Sequence, residues 1–365
     1  MFNIVDELGL RRVRTTTVVA SAKNIEQRIN EAGIYQNYIN LPFYGMRILM
    51  DKETWLTKCS MLFKRLRNKR YAHRLARVLK NENIDIVHIN GLDSEIGAIV
   101  AEKLHVPYVW HIRQFMEADL GRRLFAQKQL YKRVKGSAAI IAVSKSVKDK
   151  FEKELGCPIR VIYNGVPIQK YVVERRNEIL SGETIKMLLP GRLTPQKGQM
   201  TAIKAMAKLV KSGITSVRLA LVGAEETGGD YTDIMKYIAH NELGEYVQVF
   251  GHTEDLRLLR SEYDIGLVCS LHEAFGRVTI ESMLAGQLVI GADSDGTAEI
   301  IRAGETGLLY QPGDEDDLYR AIVYAISNRE EMRRIAQNGF SEAVEEYSIE
   351  RVVDQLISVY DSILN

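Results

Sequence analysis

The sequence predicts an α/β protein of two domains, each built on a parallel sheet, and three observations carry that expectation. At 365 residues the chain exceeds what one hydrophobic core organises and fits two domains of roughly 150 to 200 residues. Apolar runs of strand length alternate along it with longer stretches of helical period, the pattern of βαβ units. Between residues 166 and 184 the alternation gives way to a polar, aperiodic stretch that includes Glu174-Arg175-Arg176-Asn177-Glu178, and a linker belongs there. The expected parts are therefore a first domain over 1–165, the linker 166–184, a second domain over 185–340, and a C-terminal helix over 341–365 that crosses back to the first domain.

In the first half, strands are expected at 16–20, 84–89, 108–111, 139–143 and 159–163, with helices between them. After the second of these, Gly91-Leu92-Asp93-Ser94 makes a turn, and a helix runs on to Leu104 with Ser94 or Asp93 as its cap. The second half repeats the alternation, with strands at 185–189, 218–223, 247–251, 265–269, 288–292 and 307–310. The chain closes on a helix over 348–364, where Ile349, Val352, Val353, Leu356, Ile357, Tyr360 and Ile363 recur at three and four and define one buried face.

Composition narrows the class. Apolar residues make up 46% and charged residues 26%, the profile of a folded globular chain. No run approaches the roughly 18 apolar residues of a membrane span, and the first seven residues reach acid before a signal core can develop; the expected location is the cytoplasm. Cys59, Cys157 and Cys269 lie at no metal-ligand spacing and are expected to be packed, inert thiols. The net charge of +2 hides an asymmetry, because residues 1–165 carry 29 Lys and Arg against 16 Asp and Glu, and the remainder 20 against 31.

The richest stretch for chemistry is 271–286. A parallel strand runs into a loop at Glu273, and a helix begins near Gly276, so a crevice opens beyond the carboxyl ends of the strands, where ligands bind in open α/β sheets. Amides at that helix start would face an anion. Glu273 and Glu281 are placed to look into the same crevice, and a carboxylate can accept hydrogen bonds from both hydroxyls of a diol.

Glu273-Ala274-Phe275-Gly276 followed by Glu281 resembles the paired-glutamate motif of glycosyltransferase family 4, a large group of retaining enzymes with the GT-B fold of two Rossmann-like domains facing across a cleft. Pro190-Gly191-Arg192-Leu193-Thr194-Pro195-Gln196-Lys197-Gly198 is similar to the segment that opens that family's nucleotide-binding domain. Val161-Ile162-Tyr163-Asn164-Gly165-Val166 resembles its strand-Asn-Gly-Val junction, and 307–314 its Gly-Leu-Leu and Pro-Gly-Asp segment. The resemblance covers the second half and, more faintly, the first half from about residue 84.

It implies that Gly191, Arg192, Lys197, Glu273, Ala274, Phe275, Gly276 and Glu281 line the donor site. Arg192 and Lys197 would hold the diphosphate, Glu281 the ribose hydroxyls and Glu273 the sugar hydroxyls. Two fixed cations would stabilise a leaving nucleoside diphosphate more in the transition state than in the ground state, so neither metal nor cofactor is expected. His111 resembles the strand-end histidine that family members direct at the donor sugar, and with Arg192, Lys197 and Glu273 it completes the expected catalytic set. Ser144 also matches a family pattern, and a helix cap is the reading preferred for it. In Asp295-Gly296-Thr297-Ala298-Glu299 the chain keeps one of the family's usual two glycines, which weakens the expected approach of backbone to phosphate in that strand-to-helix loop.

The resemblance fails at the start. Family members begin with a buried strand, a Gly-rich loop and a long helix, whereas here only the tail of such a helix, near residues 3–10, precedes the strand at Thr16. Loss of a central strand would leave a gap flanked by unpaired backbone groups, so either the recorded start lies downstream of the true one and the first domain is incomplete, or 2–5 serves as a shortened strand.

Two basic runs add a further expectation. Residues 58–80 carry Lys64, Arg65, Arg67, Lys69, Arg70, Arg74 and Arg77 among Met61, Leu62, Phe63, Leu66, Tyr71 and Leu75, and 122–135 is also basic. Together they suggest a cationic face that docks on anionic lipid at the inner membrane surface; a solvated helix face competes with that reading, and no nucleic-acid module is visible. The function expected is transfer of a sugar, of hexosyl type, from a nucleotide diphosphate sugar to a saccharide or lipid-linked acceptor in glycan or polysaccharide synthesis. The rivals are a non-catalytic nucleotide-sugar-binding protein and a related GT-B epimerase or phosphorylase.

Overall fold

The structure is a computed structural model that describes residues 2–20, 29–30, 32–50, 53–117, 121–174, 178–224, 230–251, 253 and 255–365. It divides into two compact units, Met1–Gly165 with Ile349–Asn365, and Val166–Ser348.

The first unit contains α1 (Phe2–Leu10), β1 (Thr15–Val19), β2 (Gln36–Asn40), β3 (Arg47–Leu49), α2 (Trp55–Leu79), β4 (Val87–Asn90), α3 (Glu95–Leu104), β5 (Tyr108–Ile112), β6 (Arg122–Leu124), α4 (Gln127–Lys135), β7 (Ala139–Ala142), α5 (Lys145–Leu155) and β8 (Arg160–Val161). Its parallel strands fall into two separate sheets, β1-β2 and β4-β5-β7-β8, while β3 and β6 form an antiparallel pair. The segment that could have served as a shortened first strand is helical in α1, so that expectation is corrected: Phe2–Leu10 packs Ile4 into the core and is followed by an Arg11–Asp354 ion pair of 3.0 Å. Ser94 caps α3 without a side-chain bond, whereas the Ser144 hydroxyl accepts from the Val147 amide at 3.2 Å and caps α5 as expected.

Helix α2 binds the unit through one face only. Ala72, Leu75 and Leu79 pack on Ile96, Ile99 and Val100 of α3. Beside them Arg65 forms a bidentate pair with the buried Glu95 at 2.7 and 2.8 Å, and Arg133 of α4 reaches the same carboxylate at 3.2 Å. Two members of the basic runs are therefore internal struts, and desolvated, doubly paired carboxylates of this kind fix the mutual placement of elements.

The second unit contains β9 (Ile185–Pro190), α6 (Gln199–Lys211), β10 (Val217–Val222), α7 (Asp230–His240), β11 (Val247–Phe250), α8 (Leu256–Arg260), β12 (Ile265–Val268), α9 (Arg277–Leu284), β13 (Leu288–Ala292), α10 (Asp295–Ile300), β14 (Leu308–Tyr310), α11 (Glu315–Ser327) and α12 (Arg329–Glu346). All six strands are parallel in the order β11-β10-β9-β12-β13-β14. Strand order reverses between β9 and β12, the topological switch point at which a doubly wound sheet opens a crevice beyond its carboxyl ends.

The boundaries differ from expectation in two places. Residues 166–174 and 178–184 cluster with the second unit rather than standing apart: the Val166 amide bonds the Tyr347 carbonyl at 2.9 Å, and Ile168–Lys170 is a 3-10 turn. Arg175–Asn177 of the polar stretch lie outside the described residues. The helix expected over 341–365 is α13 (Ile349–Leu364), because 341–346 complete α12. Helix α13 belongs to the first unit, where Val352, Leu356 and Val359 pack on Val109, Ile141 and Ile162, each such buried side chain contributing about 1.5–3 kcal/mol.

Candidate active site

In the second unit, close backbone approaches hold the strand ends together. After β9 the Gly191 amide bonds the Val222 carbonyl at 2.8 Å. A Cβ on Gly223 would lie 1.9 Å from the Gly191 oxygen, so the ends of β9 and β10 close up only with glycine there. A 3-10 turn, Pro195–Lys197, then ends at Gly198, whose φ of +68° is left-handed and whose Cβ would stand 2.1 Å from the Cys269 oxygen. Glycine thus lets this turn press against the segment after β12, where the Leu271 amide bonds the Gln196 carbonyl at 2.9 Å.

That approach delivers Lys197. Its Nζ lies 2.6 Å from Glu273 Oε2 and 3.3 Å from Ser270 Oγ. Glu273 is also fixed through its backbone, because its carbonyl accepts from the Gly296 amide at 2.8 Å. Gly296 has its own close approach, since a Cβ there would meet the Phe275 backbone at 2.5 Å. Residues 295–299, expected as a strand-to-helix loop, are instead the start of α10; Asp295 takes a left-handed φ of +41° and pairs with His272 at 3.0 Å. The remaining glycine of that segment therefore serves packing against Phe275.

Ala274 and Phe275 are buried, Phe275 edge-on to Tyr347, and Gly276 begins α9 with a φ of +88°. One turn into that helix, Glu281 is no solvated residue. It is 8% exposed, accepts from Arg277 Nε at 2.7 Å and pairs with Arg260 Nη2 at 3.0 Å. Burial lowers the pKa of Arg260, and Glu281 draws it back toward the charged form. Arg277 also donates to the Tyr171 hydroxyl. A cavity of about 510 Å³ adjoins Glu281, lined also by Tyr171, Asp255, Arg257 and Arg260.

Of the expected donor residues the structure joins Lys197 to Glu273 and holds Glu281 by different partners. Each Glu281 oxygen is engaged once, and a carboxylate oxygen has room for a second donor. Arg192 is exposed on the turn after β9, its carbonyl pinned by the buried Gln199 at 2.8 Å. Arg260, Arg277 and Tyr171 escape sequence reasoning. Arg277, four residues before Glu281, is the one with a readable signal.

His111 lies in the first unit, 1% exposed, within a polar chain. Tyr360 stands 2.7 Å from His88 Nδ1, and His88 Nε2 stands 3.1 Å from His111 Nδ1. Arg113 Nη2 approaches His111 Nδ1 at 3.4 Å. Arginine can only donate, so His111 Nδ1 accepts. His88 then donates from Nε2 and accepts the Tyr360 hydroxyl at Nδ1, which leaves a proton on His111 Nε2, a buried atom without a partner among the described residues. Burial, then the Arg113 charge, hold both imidazoles neutral: His88 is lowered to about 3 and His111 well below its usual range.

The family described as Glycosyl transferases group 1 matches residues 173–342, and Glycosyltransferase Family 4 matches residues 54–170. An uncharacterized glycosyltransferase of Methanocaldococcus jannaschii is 25% identical over 307 residues, 78% of this chain and 76% of its own length. N-acetyl-alpha-D-glucosaminyl L-malate synthase of Bacillus anthracis is 24% identical over 305 residues, 80% and 78% of the two chains. Among solved structures, a glycosyltransferase of Rickettsia africae superposes with a TM-score of 0.82 at 19% identity, over 100% of this chain and 94% of that one. HepE of Anabaena in complex with UDP and glucose superposes with a TM-score of 0.77 at 21% identity, over 99% and 95%. The likeness to these structures establishes the GT-B fold of two Rossmann-like units.

Proposed function

The chain belongs to glycosyltransferase family 4, and from that membership we propose that it transfers a hexosyl group from a nucleoside diphosphate to a saccharide or lipid-linked acceptor, with retention of configuration. The observation that carries the reading is the Lys197–Glu273 pair of 2.6 Å at the switch point of the second unit, beside the amino end of α9. As the glycosidic bond breaks, charge grows on the departing diphosphate. Lys197, Arg192 and the amides that start α9 supply fixed positive potential there, which favours the transition state over the ground state. Glu273 accepts from sugar hydroxyls and Glu281 from the ribose diol. The acceptor hydroxyl attacks on the face the phosphate leaves, with a phosphate oxygen taking its proton. His111 donates from Nε2 to the donor sugar.

The test is a panel of nucleotide sugars with mass detection of the released nucleotide, beginning with UDP-glucose because HepE holds UDP and glucose. Turnover with inversion defeats the retaining mechanism; tight binding without turnover favours a binding protein. Consumption of inorganic phosphate assigns the chain to phosphorolysis.

We further propose that α2 carries the chain onto anionic lipid. Its 25 residues contain no acid. The face opposite its buried side is apolar in its first turns, with Trp55, Leu56, Leu62, Phe63 and Leu66 all exposed and Trp55 at 75%, and basic thereafter, with Lys69, Arg70, Arg74 and Arg77 exposed. An apolar wedge continued by cations matches the interface of an anionic bilayer. The second basic run contributes less than the sequence suggests, because Arg123 and Arg133 are committed to Glu53, Glu117, Glu95 and Glu102.

A further inference from the structure

Arg113 follows β5 directly, Asn90 ends β4 and Asn164 follows β8, so all three stand at the carboxyl end of one parallel sheet, the edge where such sheets bind ligands. Arg113 donates through Nε to Asn90 Oδ1 and through Nη1 to Asn164 Oδ1, and it approaches His111 at 3.4 Å. All three partners are neutral, and no carboxylate among the described residues pairs with this half-buried guanidinium. The other internal arginines behave differently, Arg65 and Arg133 meeting Glu95 and Arg260 meeting Glu281.

What the cluster has left to offer is chiefly donors. Both asparagines spend their carbonyl oxygens on Arg113, which turns their amide N–H groups to other partners. Arg113 keeps unspent N–H groups on Nη1 and Nη2. A set of donors around a cation that meets no carboxylate among the described residues matches a ligand that only accepts and carries negative charge. A neutral sugar hydroxyl brings a donor of its own and leaves the guanidinium unneutralised.

We propose that Arg113, Asn90 and Asn164 form a receptor for an oxyanion, and that the acceptor substrate carries a phosphate or carboxylate which they seat. The assignment to the acceptor rests on the preceding reading, in which the donor diphosphate is held by Lys197 and Arg192 on the other unit. It adds a class of acceptor to that reading.

The full chain is titrated by calorimetry with methyl phosphate, with malate and, separately, with UDP. Arg113→Gln removes the charge. Asn164→Asp neutralises it from beside while keeping the side chain, and circular dichroism checks that both variants fold. The expected result is millimolar binding of at least one small anion, weakened tenfold or more in both variants and unchanged in Lys197→Ala, while UDP binding shows the reverse dependence. The arm that binds more tightly separates phosphate from carboxylate. No anion binding to the native chain, or equal binding to Arg113→Gln, overturns the proposal. Anion binding lost only in Lys197→Ala assigns the anion to the donor site and overturns it as well. Unaltered UDP binding in Lys197→Ala would instead defeat the donor-site reading and leave the Arg113 result to stand by itself.

Discussion

Lys197 Nζ and Glu273 Oε2 lie 2.6 Å apart, so a phosphate that draws on Lys197 competes with Glu273 for the same charge. Removing either is expected to lower turnover, but their effects on nucleoside diphosphate binding should be opposite. Lys197→Ala should cost about 10²-fold or more in turnover, the typical loss on removing one transition-state charge stabiliser. Glu273→Gln should lower turnover while tightening nucleoside diphosphate binding by roughly two- to fivefold, because a pair of this exposure holds about 0.2–1 kcal/mol. Calorimetry with UDP beside steady-state rates separates the effects, and weaker UDP binding in Glu273→Gln would contradict the competition.

Glu281 carries a stability prediction that is independent of ligand. Its removal takes from Arg260, which is 1% exposed, the carboxylate it pairs with at 3.0 Å, and breaking a buried pair from one side costs about 3–5 kcal/mol. Glu281→Ala should therefore raise hydrogen exchange across the second unit, and a double variant with Arg260→Met should recover much of the loss. An exposed helix glutamate would change stability by about 0.5 kcal/mol or less, so an unperturbed exchange pattern refutes the buried pair.

The contrast between these residues explains what the sequence could and could not disclose. Strands β9 to β13 lie within about a residue of their expected limits, because Ile185–Pro190, Ile265–Val268 and Leu288–Ala292 are nearly or wholly buried and therefore nearly unbroken apolar runs. Strand β2, Gln36–Asn40, passes unnoticed, since its half-exposed QNYIN carries little apolar signal, and β3 and β6 are three-residue strands with arginines in both. Lys197 and Glu273 were legible by motif, but their meeting depends on Gly198 fitting under the Cys269 carbonyl. Arg260 and Arg113 were illegible as site residues, because the sequence around an arginine does not reveal whether it turns inward or meets an acid there.

The His88–His111 pair predicts an acid-sensitive first unit. In the unfolded chain each imidazole takes up a proton near pH 6.5, whereas burial and Arg113 keep both neutral in the fold, His88 down to about 3. Below pH 6.5 the unfolded state binds more protons, so stability falls as acid is added, by about 1.4 kcal/mol per pH unit for each histidine. Above pH 7 the pair contributes no pH dependence. Both tryptophans, Trp55 and Trp110, lie in this unit, so urea unfolding followed by their fluorescence should lose midpoint between pH 6.5 and 5. The double variant His88→Gln, His111→Gln should flatten that window, and a slope parallel to the native one would rule the pair out as its source.

The last prediction concerns α2 and depends on the two halves of its outer face acting differently. Each Lys or Arg near an anionic surface contributes about 1 kcal/mol, so Arg70→Gln with Arg74→Gln should lower binding to vesicles rich in phosphatidylglycerol by about 2 kcal/mol, on the order of thirtyfold. Added salt should reproduce that loss, since screening acts on exposed charges such as these. Trp55→Ser with Phe63→Ser removes apolar contact instead, and its effect should persist at high salt. Neither pair touches Glu95 or the Ala72, Leu75 and Leu79 face that holds the helix to the unit, so both variants should keep the native fold. Sedimentation with neutral and with anionic vesicles at low salt is decisive, because equal partition into the two would mean that the basic turns of α2 are simply solvated.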